Sequence, residues 1–86
     1  MDFGKALHEL KAGRKVARKG WNGKGIFIEL QVPDANSKMT SPYILQTDSK
    51  DAPKSRVPWL ASQTDILSTD WEDIGYMLAE DWEDIG

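Results

Sequence analysis

Residues 2–12, DFGKALHELKA, place Phe3, Ala6, Leu7 and Leu10 at intervals of three and four. That spacing predicts an amphipathic helix of about three turns with one apolar stripe. Asp2 can cap its first turn, Gly13 can stop it, and His8 falls off the stripe. The period then changes to two. RKVAR, residues 14–18, reads as a short strand. IFIELQV, residues 26–32, sends Ile26, Ile28, Leu30 and Val32 to one face and Phe27, Glu29 and Gln31 to the other. The glycine-rich stretch between the two strands predicts a β-hairpin turning at Asn22-Gly23, because both residues tolerate positive φ.

PDANSKMTSP, residues 33–42, is a loop by composition. YILQT, 43–47, is a half-buried third strand, and the polar run 48–56 is a long hairpin connection. VPWLAS, 57–62, is a fourth strand, placed at an edge because Pro58 cannot donate to a ladder. Ser62 and Asp65 have capping-box spacing, which predicts a short helical turn near 63–69 with Ile66 and Leu67 pointing inward. An extended segment through Asp70 and Trp71 follows. The fold class is therefore α+β: an N-terminal helix packed on a twisted antiparallel sheet of four to five strands. The tail repeats itself, since DWEDIG occupies both 70–75 and 81–86 and Leu67 recurs as Leu78. A local tandem duplication accounts for this. It divides the chain into a single domain, 1–75, and a duplicated acidic segment, 76–86.

Composition narrows the function. A chain of 86 residues is one domain, and it buries only about 60–65% of its unfolded surface. It contains no cysteine and a single histidine, which excludes thiolate chemistry and a multi-histidine metal site. No secretory h-region or long apolar run is present, so the chain reads as soluble and intracellular, without a membrane role. The net charge of −3 argues against a nucleic-acid polymer as partner. Residues 1–24 nevertheless hold seven of the eleven Lys and Arg, whereas everything charged after Arg56 is acidic. Two solvated surfaces are one reading of that division. A local positive pocket, or a basic surface meeting the acidic end of a second subunit, is the other.

Nucleophilic catalysis needs Ser or Thr beside a base, and His8 lies far in sequence from the Ser-rich segments. KGWNGKG lacks the G-K-[ST] ending of a phosphate-binding loop of the Walker type. Binding suits the residues better. Glycine amides can form an anion nest, Arg18, Lys19 and Lys24 can neutralise phosphate, Trp21 offers a stacking face, and Asn22 can read a base edge or ribose hydroxyl. A plain hairpin turn with a core tryptophan stands as the alternative. A pocket that engulfs such a ligand needs roughly 300–1,000 Å³, which a domain of 9.7 kDa can scarcely hollow out. The site is therefore expected between subunits, with Trp21, Trp59 and Trp71 as anchors at the site or interface.

FGKALHELKAGRKVARKGWNGKG, followed later by VPWLASQTDILSTDW, resembles a family of small phage and prophage proteins that includes the second type of Thoeris anti-defence protein. The resemblance spans most of residues 3–72. It implies a non-enzymatic sponge, without cofactor or metal, acting in the cytoplasm of an infected bacterium. Such a sponge binds, without cleaving, the cyclic nucleotide-type signal that TIR-domain proteins make. That signal is a glycocyclic ADP-ribose, with cyclic dinucleotides as the other candidates. It also implies a homo-oligomer, a dimer of dimers, with ligand sites between protomers. By this resemblance the ligand-binding residues are Arg18, Trp21, Asn22, Gly23 and Lys24 from the hairpin, with Phe27 beside them as a further candidate. The second segment adds Trp59, Ser62, Gln63, Thr64, Asp65 and Trp71, with Trp21 and Trp71 stacking the base. The rivals are a small phosphodiesterase-like enzyme acting on the same messenger and a phage structural or protein-interaction module. The repeat at 76–86 departs from the family, which usually ends soon after the first DW.

Overall fold

The computed structural model describes residues 1–21, 25–51 and 54–76. Helix α1 spans Phe3–Lys11. The Asp2 carboxylate caps it by accepting from the Lys5 N–H at 2.8 Å, and Gly13, at φ 87°, takes the chain out of the helix in the left-handed region. Five strands follow: β1 (Arg14–Arg18), β2 (Ile26–Gln31), β3 (Tyr43–Asp48), β4 (Ser55–Pro58) and β5 (Trp71–Tyr76). A 3₁₀ turn at Lys19–Trp21 leaves β1, and a second helix, α2 (Gln63–Leu67), sits between β4 and β5. The sheet order is β4-β3-β2-β1-β5, with every neighbouring pair antiparallel. The chain thus builds the sheet outward from β1 to β4. It then returns through α2 to lay its last described strand on the opposite edge.

α1 packs on one face of this sheet. Val16 of β1 stands opposite Ile28 of β2, and both are fully buried beneath Ala6 and Leu10 of α1. Trp71 of β5, 2% exposed, completes the cluster. Burying an aliphatic or aromatic side chain of this kind is worth about 1.5–3 kcal/mol. Alternation along the strands sends Ala17, Phe27 and Leu45 to the other face, beside Lys15, Glu29 and Thr47.

The α+β class, the helix bounds and the first three strands agree with the sequence reading. The fourth strand comes earlier than expected, at 55–58 rather than 57–62. Its last rung is the Trp59 N–H donating to the Ile44 carbonyl at 2.8 Å, after which Trp59 turns off the sheet toward the aromatic cluster. Ile66 and Leu67 do not point inward: they are 46% and 77% exposed. α2 is only five residues long and is anchored through its polar side, so its apolar side chains are left in solvent. The Asn22-Gly23 turn and residues 77–86 of the repeat lie outside the described residues.

Candidate functional site

The two oppositely charged ends of the sequence meet within one chain, because β5 pairs with β1. Arg18, at the end of β1, donates from Nε to Asp70 at 2.9 Å and from Nη1 to Asp65 at 2.8 Å. The second Asp70 oxygen accepts from the Gly20 N–H at 2.9 Å. Further along the same strand pair, Arg14 bonds Asp73. These contacts set the carboxyls' acidity. The Asp70 carboxyl is held below its ordinary value by the Arg18 hydrogen bond and then by the Gly20 N–H. Burial pushes Asp65 upward, but Arg18 and the Ser62 hydroxyl and amide outweigh it and leave Asp65 lowered. Asp73 is lowered chiefly by Arg14, and Arg18 is raised by Asp70 and Asp65.

This clasp holds three elements together. Asp65 belongs to α2, whose capping box is complete: Ser62 Oγ accepts from the Asp65 N–H at 3.0 Å, and the Ser62 N–H donates back to Asp65. The Asp65 carbonyl accepts from Trp71 Nε1 at 2.9 Å. Trp71 is thereby fixed at the centre of an aromatic group. Trp21 and Trp59 meet it edge-on, at centroid distances of 5.3 and 5.9 Å, and Phe3 packs tilted at 5.4 Å.

A cleft of about 260 Å³ opens beside the clasp, lined by Arg18, Lys19 and Trp21 on one side and by Phe27, Glu72 and Ile74 across and beneath. Its floor lies on the sheet face away from α1, since Ala17 pairs with Glu72 and alternates with the core residue Val16. Gly25 forms part of the rim at φ 75°, and its carbonyl accepts from both the amide and the hydroxyl of Ser49. A β-carbon there would stand 2.7 Å from Ser49 Oγ, so the close approach of the two loops requires glycine. Only two of the five N–H donors of Arg18 are used by Asp65 and Asp70, and Lys19 makes no ion pair among the described residues.

The predicted residues therefore separate. Arg18, Trp21 and Phe27 come together in the cleft. Trp59 and Ser62 to Asp65 do not line it. Trp59 packs against the core on the α1 side, Ser62 and Asp65 build the cap of α2, and Gln63 and Thr64 are exposed. Trp71 lies under Trp21 in the core, with its ring faced by other aromatics, so it presents no stacking face to a ligand from this chain. Asn22, Gly23 and Lys24 are outside the described residues. Glu72 and Ile74 line the cleft without having been singled out in the sequence. Knowing that β5 pairs with β1 would have identified them, but WEDIG carries no clean alternation to announce a strand.

His8 stands exposed on α1, away from the cleft lining. Among the described residues no group of three or more His, Cys, Asp or Glu is placed to hold a metal ion, and no helix is long and apolar enough to cross a membrane.

A family profile described as the Thoeris anti-defense 2-like domain matches residues 1–74. A protein of Bacillus phage SP01 named Thoeris anti-defense 2 is 36% identical over 85 residues, an alignment that covers 84% of this chain and 92% of that protein.

Proposed function

The chain belongs to the Thoeris anti-defense 2-like family of phage anti-defence proteins, and from that membership we propose that it acts by capture, holding a cyclic nucleotide-derived immune messenger without cleaving it. The messenger class is a glycocyclic ADP-ribose, with cyclic dinucleotides as the second candidates. The observation that carries the reading is the cleft, where cations and aromatic faces converge on one opening. Trp21 and Phe27 offer π-faces to a base, each such stack being worth roughly 1–3 kcal/mol. Lys19 and the remaining Arg18 donors meet phosphate oxygens. Glu72 accepts from ribose hydroxyls or an exocyclic amine. Asn22, Gly23 and Lys24 follow Trp21 in sequence and add a polar edge, bare amides and a further cation.

At about 260 Å³ the cleft is smaller than the roughly 300–1,000 Å³ that encloses a drug-sized ligand. A second copy is therefore proposed to close it, in a dimer of dimers. Exposed Gln63 and Thr64, with the accessible edges of the neighbouring Ser62 cap and Trp59, are proposed to serve as that second wall.

The test is incubation of the full chain with glycocyclic ADP-ribose and, in parallel, a cyclic dinucleotide. Denaturation and chromatography of the supernatant then follow. Intact ligand and a raised melting temperature are expected, because a ligand at 100 times its dissociation constant adds about 2.7 kcal/mol. Cleaved products would make the protein an enzyme, and an unchanged melt with every messenger would remove the capture reading altogether.

A further inference from the structure

The groove that receives β5 is built from residues outside β5 itself. Arg18 and the Gly20 N–H take Asp70. The core of Ala6, Leu10, Val16 and Ile28 takes the Trp71 indole, whose Nε1 reaches the Asp65 carbonyl. Arg14 takes Asp73. The Met1 amino group donates to the Trp71 carbonyl at 2.8 Å, and the Met1 carbonyl accepts the Trp71 N–H at 3.1 Å. Gly75 supplies the one positive φ of the strand, 120°. Every side chain and the special backbone position that this groove selects lie in the hexapeptide Asp70–Gly75. The same hexapeptide, DWEDIG, recurs without change as Asp81–Gly86.

We propose that the β1 edge groove is a binding site for either copy, and that Asp81–Gly86 can replace Asp70–Gly75 as the fifth strand. Asp81 then meets Arg18 and Gly20, Trp82 fills the core, and Asp84 meets Arg14. Glu83 and Ile85 take the cleft-lining places of Glu72 and Ile74, so the cleft keeps its chemistry. The difference between the two arrangements lies in the connection. The loop after α2 grows from residues 68–70 to residues 68–81. Loop closure scales as the 3/2 power of length, so the first copy is favoured by roughly tenfold. The duplication is thus a spare strand, silent until the first copy is damaged or displaced.

The test uses the full chain in urea unfolding, comparing Trp71→Ala, Trp82→Ala and the double variant. Emptying a fully buried tryptophan site ordinarily lowers the folding constant by some 10²-fold to more than 10³-fold. With a spare strand the loss in Trp71→Ala is capped near the loop factor, roughly tenfold. Trp82→Ala alone changes nothing, and the double variant shows the full loss or fails to fold. If Trp71→Ala is as unstable as the double variant, or fails to fold while carrying an intact Trp82, the spare strand does not exist. No ligand enters this experiment, so its outcome is independent of the capture reading.

Discussion

Trp21 has two tasks, and they can be separated by substitution. One edge of its environment is the core indole of Trp71; another is the open cleft. Trp21→Ala is expected to cost about 1–3 kcal/mol of stability, less than the roughly 3–5 kcal/mol of a fully buried aromatic, because Trp21 is only half-buried. It should also weaken messenger binding by the roughly 1–3 kcal/mol of a lost stack. Trp21→Phe keeps an aromatic face and should recover most of both. Calorimetric titration together with urea unfolding checks the pair, and unchanged affinity in a folded Trp21→Ala protein would take Trp21 out of the site. The sequence marked Trp21 and Trp71 equally, as two of the four tryptophans in a chain of 86 residues. Only the register distinguishes them. Trp71 pairs with Arg18 on the helix-covered face, whereas Trp21 sits on a 3₁₀ turn at the sheet's end.

At the scale of elements, local signals were legible and long-range ones were not. Asp2 and Gly13 bounded α1, and the Ser62–Asp65 spacing placed α2, because caps are written in neighbouring residues. β5 was legible only as an extended segment through Asp70 and Trp71; its pairing with β1 was not, because that partner lies more than fifty residues away. Its face pattern is also interrupted by an irregularity in register between Lys15 and Val16. What fastens β5 and α2 to the hairpin is the Arg18 clasp, and the clasp makes stability depend on acid. Asp65, Asp70 and Asp73 all titrate below the ordinary aspartate value of 3.8 in the folded chain. The unfolded chain therefore takes up protons first as pH falls. The stabilisation from these carboxylates is complete above the ordinary value and is lost as pH falls from there through the lowered native values. Arg18→Met, which keeps the aliphatic stem but removes the charge, should lower stability at neutral pH and flatten the acid limb. Urea midpoints measured across that range read both effects, and a limb of unchanged steepness would show that Arg18 does not set the acidity of Asp65 and Asp70.

For the whole molecule, the division of charge that pointed toward a second subunit is satisfied largely within one chain, through Arg14 with Asp73 and Arg18 with Asp65 and Asp70. Charge alone therefore no longer argues for assembly; exposed apolar side chains do. The sheet face away from α1 is already closed within the chain: Ala17, Leu45 and Thr47 are buried there, and Lys15 stands over the Phe27 ring. Leu60, just before α2, and Leu67, its last residue, are 91% and 77% accessible. A standard interface takes about 800 Å² per partner, a modest share of the 5885 Å² of this chain. The proposed assembly predicts a sedimentation mass that is a multiple of 9.7 kDa, and it predicts more than mass. If a second copy completes the cleft, diluting the protein below the dissociation constant of the oligomer must weaken messenger binding in step with loss of the oligomer. Leu67→Glu should shift both transitions together, because a charge placed on an apolar contact costs assembly while leaving an exposed side chain's own fold undisturbed. A monomer that binds the messenger with undiminished affinity at every concentration would leave the cleft of a single chain as the whole site.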